Sequence, residues 1–191
     1  MMNNDWTLMV LKNLAIIEPL KENPPLDRGR FGYDLKGKLS TWDQKEGQVT
    51  GSLSRYNHPK YKDLYYAVKS TVENIIQEKL YPTYYYDRFY FKNQDLKRHV
   101  DRESCEVSVS MHISSNASYD WPIYFELENG EIHELVTKSG DAVLYKGHLL
   151  PHWRTPLKGD KDTYYHQIFF HYVRRDGYFL QHAYDSCISS T

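Results

Sequence analysis

With 191 residues, 40% of them hydrophobic and 15% aromatic, the chain can bury one ordinary core and needs no second domain. Its net charge of -1 comes from 24 basic and 25 acidic residues mixed along the sequence, which leaves no basic block to track a phosphate backbone and no clear nucleic-acid partner. Cys105 and Cys187 cannot staple a fold of this size and match no zinc spacing, so a reducing, cytoplasmic setting is expected, and no apolar run is long enough for a signal core or a bilayer span.

Residues 1–56 form a variable N-terminal segment. Trp6 to Ile17 reads as a short helix or a strand, and Pro19, Pro24, Pro25 and Gly32 interrupt regular structure after it. The stretch 27–54 is charged and dotted with aromatics, which suggests a hairpin or cover loop, with a surface-packed connector as the favoured role. A support helix is expected over 57–80. Tyr61, Leu64, Tyr65, Val68, Val72, Ile75, Ile76 and Leu80 recur at three- and four-residue intervals, and Pro82 forces a stop.

From 84 to 173 the period changes from about 3.6 to 2, and the chain reads as strands. Tyr84 to Phe91 is aromatic-rich, and Asn93 sits in a turn where a left-handed backbone is tolerated. In 106–113, Val107, Val109, Met111 and Ile113 share one face while Glu106, Ser108, Ser110 and His112 share the other. Further strands are expected over 121–127, 132–136, 142–145 and 164–173, followed by a C-terminal tail, 174–191. The expected fold is mainly β with flanking helices: a double-stranded β-helix, a cupin-like jelly roll in one domain, buttressed by the helix.

His99 and Asp101, two residues apart at a strand end, project to one side and can reach one metal. An imidazole and a hard carboxylate suit Fe(II), with a distant histidine completing one octahedral face and the other positions left open. His148 and His152 are both available, and His152 is the preferred ligand. Arg154, two residues further on, then turns its guanidinium to the metal side, where a fixed fork suits a dicarboxylate. His148 is placed at the rim.

Tyr90 to Ser108, together with Trp121-Pro122-Ile123-Tyr124, Gly140 to Gly147, Pro151 to Leu157 and Gln167 to Val173, resembles the 2-oxoglutarate- and Fe(II)-dependent oxygenases, in the branch similar to prolyl 4-hydroxylase. The likeness covers roughly the last two thirds of the chain, and several motifs in one order are more specific than one triplet. It implies His99, Asp101 and His152 as metal ligands, Fe(II), 2-oxoglutarate and O2 as cofactor and co-substrates, and hydroxylation of a protein side chain, such as prolyl, or of a small molecule, with release of succinate and CO2. With Asp101 in place, halogenation is disfavoured.

Members of that branch often carry Arg or Lys on the strand after the distal histidine, whereas this chain reads Tyr164-Tyr165-His166-Gln167. His166 is the one cationic candidate there, so the role of holding the far carboxylate moves to Arg154, with Tyr90 and His112 as hydrogen-bonding partners. Arg102, beside the metal motif, is a candidate substrate contact. His171, Cys105 and the tyrosine clusters are assigned to packing. Two other classes are open at this level: a non-enzymatic cupin-like module that binds metal or ligand, and a metal-dependent hydrolase or isomerase using the same triad.

Overall fold

The computed structural model describes residues 6–43 and 45–184; Cys187 and the end of the expected tail lie outside them. The strands are β1 (Leu8–Leu11), β2 (Gly29–Tyr33), β3 (Leu39–Asp43), β4 (Leu53–Tyr56), β5 (Leu80–Phe91), β6 (Leu96–His99), β7 (Val107–Ser115), β8 (Ile123–Glu126), β9 (Ile132–Leu135), β10 (Ala142–Tyr145), β11 (His152–Arg154) and β12 (Tyr164–Arg174). They form one sheet in the order β1-β10-β7-β12-β5-β4-β2-β3 and a second in the order β6-β11-β8-β9. These sheets make the expected jelly roll.

The helix α1 (Lys62–Ile76) buries Tyr65, Val68, Val72 and Ile76 against Val107, Val109, Met111, Ile113, Ile168 and Phe170 of the large sheet. Each such side chain, taken fully out of water, contributes about 1.5–3 kcal/mol. Because side chains alternate across a strand, Ser108, Ser110 and His112 must then face the space between the sheets. The polar face read from the sequence is therefore the inner wall.

The expected helix over 57–80 is too long at both ends. A 3-10 turn at Pro59–Tyr61 precedes α1, and Gln77 stops it by adopting a left-handed backbone with φ of 60° while its N–H closes on Glu73 O. Leu80 already begins β5, and its N–H donates to the Glu73 carboxylate. Among the described residues α1 is the sole α-helix, so the plural flanking helices reduce to α1 and short 3-10 turns.

The N-terminal ambiguity resolves as a strand, since β1 pairs antiparallel with β10. β2 and β3 form a hairpin, and β2 also runs parallel to β4, which pairs with β5. These additions widen the large sheet past the barrel and carry the segment 45–52 back over its mouth. Asn93, with φ of 67°, takes the left-handed turn position.

Candidate metal centre

β6 and β11 are antiparallel neighbours, and their register sets His152 directly opposite His99. Asp101 follows just beyond β6, where its N–H donates to Gly147 O at 2.9 Å. One ligand atom from each of His99, Asp101 and His152 lies within 4.8 Å of the others. Asp101 Oδ1 is 3.4 Å from His99 Nε2 and 3.6 Å from His152 Nε2. Gly147 permits this approach, because a Cβ there would stand 2.6 Å from Asp101 Oδ2.

The imidazoles are oriented from behind. His99 Nδ1 is 2.7 Å from Lys97 O, and His152 Nδ1 is 2.9 Å from Leu150 O. A carbonyl can only accept, so each Nδ1 carries the proton and each Nε2 turns a lone pair toward Asp101. Burial would raise Asp101, but the two adjacent histidines, His152 foremost, outweigh it and hold the carboxyl below its usual range. Burial pushes His152 down despite the Asp101 charge, while contact with Asp101 more than offsets burial and raises His99. Asp101 Oδ2 is buried with no hydrogen-bond partner. Two imidazoles oriented by backbone carbonyls, an ionised carboxylate and an orphaned oxygen fit a divalent cation.

Arg154 is 2% exposed and points between the sheets. Its Nη1 donates to Trp121 O at 2.6 Å and its Nη2 to Gln167 Oε1 at 2.9 Å, and its guanidinium carbon lies 4.6 Å from the Trp121 ring and 4.8 Å from the Tyr165 ring. Gln167 in turn donates to Ser110 Oγ. Arg154 Nε is buried without an acceptor, so its N–H is open to a ligand. Tyr90 packs edge-on against Trp121 at 5.1 Å in the same interior. His112 stacks on Tyr165 at 4.1 Å, donates from Nδ1 to Thr137 O, and lines a cavity of about 180 Å³ with Trp121 and Thr137.

His166 does not join this group. Tyr165 and Gln167 point inward, so alternation sends His166 to the α1 side, where Nε2 meets Asp87 Oδ2 at 2.8 Å and the ring stacks on Phe89 at 3.7 Å. It therefore does not face the space between the sheets, where the role expected for it toward 2-oxoglutarate would require it. His148 lies off the triad, edge-on to Phe179. His171 is buried and hydrogen-bonded to Ser108 Oγ at 2.9 Å, yet it sits on the inner face with Cys105 and Asp101 nearby. Cys105 is buried with its Sγ 3.1 Å from Tyr84 Oη. Arg102 is exposed beside the triad, its guanidinium carbon 4.8 Å from the Tyr84 ring.

Three residues escaped the sequence reading. Arg88 is fully buried on the inner face of β5, where Nε donates to Ser54 Oγ, Nη1 to Gln48 Oε1 at 2.8 Å and Nη2 to Glu46 Oε1 at 3.2 Å. Gln48 Nε2 reaches His99 Nε2 at 2.9 Å. The segment assigned to a surface connector therefore touches the triad. The available signal was Arg88 itself, which shares an alternating face with Tyr84, Tyr86 and Tyr90.

No family model and no curated protein sequence matches the chain. Its fold is shared by solved structures of low identity. A prolyl-4-hydroxylase from Pseudomonas putida is 14% identical with a TM-score of 0.59, over 88% of this chain and 93% of that one. HygX from Streptomyces hygroscopicus, solved with nickel, 2-oxoglutarate and hygromycin B bound, is 12% identical with a TM-score of 0.58, over 86% and 82%. A prolyl hydroxylase from Trichoplax adhaerens, in complex with a hypoxia inducible factor peptide fragment, is 11% identical with a TM-score of 0.57, over 88% and 84%. The chain has the jelly-roll fold of the prolyl-hydroxylase-like 2-oxoglutarate oxygenases.

Proposed function

We propose that the chain is an Fe(II)- and 2-oxoglutarate-dependent dioxygenase that hydroxylates a peptide side chain or a small molecule. The observation that carries this reading is the convergence of His99, Asp101 and His152, one ligand atom of each within 4.8 Å of the others, with both histidines anchored through Nδ1. These residues would hold the metal, and Arg154 would hold the far carboxylate of 2-oxoglutarate through its unpaired Nε. Ferrous iron held there would supply oxygenase chemistry with O2 as the oxidant: one oxygen atom would enter the substrate C–H bond and the other would enter succinate as 2-oxoglutarate loses CO2, the co-substrate and the substrate each giving two electrons.

The protein contributes position and dryness. Lys97 O and Leu150 O fix the imidazole tautomers, while Tyr145 and Phe125 pack on the His152 ring at 5.1 and 5.5 Å and shield it from water. Trp121 and Tyr165 hold the Arg154 plane. The fold accommodates both substrate classes, since solved structures sharing it include one with a bound peptide and one with bound hygromycin B.

Anaerobic addition of Fe(II) and 2-oxoglutarate is expected to give a visible charge-transfer band, and admission of air to release succinate. His99→Ala and Asp101→Ala are each expected to lose both iron retention and succinate formation. Turnover persisting in both variants would overturn the assignment.

A further inference from the structure

The mouth of the triad is filled from within. Arg88 Nη1 donates to Gln48 Oε1 at 2.8 Å, and Gln48 Nε2 lies 2.9 Å from His99 Nε2. A guanidinium only donates, so the amide oxygen must face Arg88 and the amide nitrogen must face His99. His99 Nδ1 is committed to Lys97 O, so Nε2 is the acceptor for Gln48. The carboxamide thus sits on the one lone pair through which His99 can hold a metal.

Turning the amide over does not release it, because its –NH2 would then oppose the Arg88 N–H. Gln48 has to withdraw. It is exposed while its neighbour Val49 is buried, so the side chain can leave with the backbone still anchored. Withdrawal leaves a buried Arg88 Nη1 with only Tyr90 Oη, at a long 3.4 Å. Glu46, on Nη2, meets one edge of the guanidinium and does not replace the lost acceptor. A buried guanidinium N–H without a partner calls for an incoming oxygen, and a carboxylate is its best match.

We propose that Arg88 is a carboxylate-binding residue of the site mouth, plugged by Gln48 until a divalent metal takes His99. The plug rests on the reading of the triad as a metal centre, and the Arg88 subsite can be tested without metal. The carboxylate belongs either to the prime substrate or to 2-oxoglutarate.

Anaerobic calorimetric titration with Ni(II) compares wild type, Gln48→Ala and His99→Ala. Removal of the competing hydrogen bond is expected to tighten Ni(II) binding roughly tenfold in Gln48→Ala, and His99→Ala is expected to lose it. Equal affinity in wild type and Gln48→Ala overturns the plug while leaving the triad intact. Absence of binding in all three, or undiminished binding in His99→Ala, overturns the metal centre instead.

Without metal, acetate is expected to raise the melting temperature of Gln48→Ala but not of wild type or Gln48→Glu, whose own side chains fill the position. An acetate response shared by all three, or absent from Gln48→Ala, overturns the Arg88 subsite. In metal-loaded Gln48→Glu, weakened 2-oxoglutarate binding assigns the carboxylate to the co-substrate, and unchanged binding assigns it to the prime substrate.

Discussion

At the residue scale the decisive asymmetry lies between the two buried arginines that face the interior. Arg88 has a carboxylate partner in Glu46, whereas Arg154 is bound by a backbone carbonyl and an amide oxygen and stacks on two aromatic rings. Its positive charge is therefore solvated by dipoles alone, an arrangement that favours a bound anion. Arg154→Ala is expected to weaken 2-oxoglutarate binding by ~1.5–3 kcal/mol, roughly 10- to 150-fold, as a charged hydrogen bond would. Calorimetry on the Ni(II)-loaded protein checks this, and unchanged affinity would remove Arg154 from the role.

The element scale explains how much was legible in the sequence. Alternation in β7 separated Val107, Val109, Met111 and Ile113 from Ser108, Ser110 and His112, because one face meets α1 and the other the interior. The β6–β11 pairing lies beyond such local patterns; the linked motifs pointed by resemblance to the three ligands that it brings together, and not to the pairing itself. The path of 45–52 was not legible, since its course depends on Glu46 and Gln48 finding a buried Arg88 some forty residues away. The end of α1 was misplaced for a similar reason: Gln77 adopts a conformation that its side chain does not advertise. Gln77→Gly is expected to stabilise the protein by ~0.5–1 kcal/mol, because glycine enters the left-handed region without strain. Urea denaturation would read this as a raised midpoint at constant slope, and a lowered midpoint would show that the Gln77 side chain's bond to Asn74 O matters more.

For the whole molecule, stability should follow the protonation of buried histidines. Burial pushes His112 down to about 4, with the Thr137 carbonyl offsetting part of the loss and the Arg154 charge adding to it. His166 is lowered by burial despite its bond to Asp87, and Asp87 is held low by His166 and Arg55 against its own burial. In the unfolded chain histidine titrates near ~6.5, so between that pH and about 4 the unfolded state binds more protons. The contribution of neutral His112 is thus complete above the unfolded value and is lost as pH falls toward the folded one. His112 alone accounts for on the order of 3 kcal/mol across that window. Urea midpoints are expected to drop steadily from pH 7 to pH 4, and His112→Gln to flatten the slope; a flat profile in the wild type would contradict the burial argument.

The pair Asp87-Arg88 has a consequence for how β5 finds its place. Aromatic rings line both faces of this strand, with Tyr84, Tyr86 and Tyr90 inward and Tyr85 and Phe89 toward α1, so greasiness alone scarcely distinguishes one alignment from the next. Charge does. In the observed alignment Asp87 meets Arg55 and His166 on one side of the sheet while Arg88 meets Glu46 on the other. A slip of one residue would bring Asp87 to the Glu46 side and Arg88 to the Arg55 side, burying like charges together on both faces. Two adjacent charged residues thereby act as an indexing pin for the strand that neighbours both β4 and β12, rejecting the misaligned sheet that the tyrosines would tolerate.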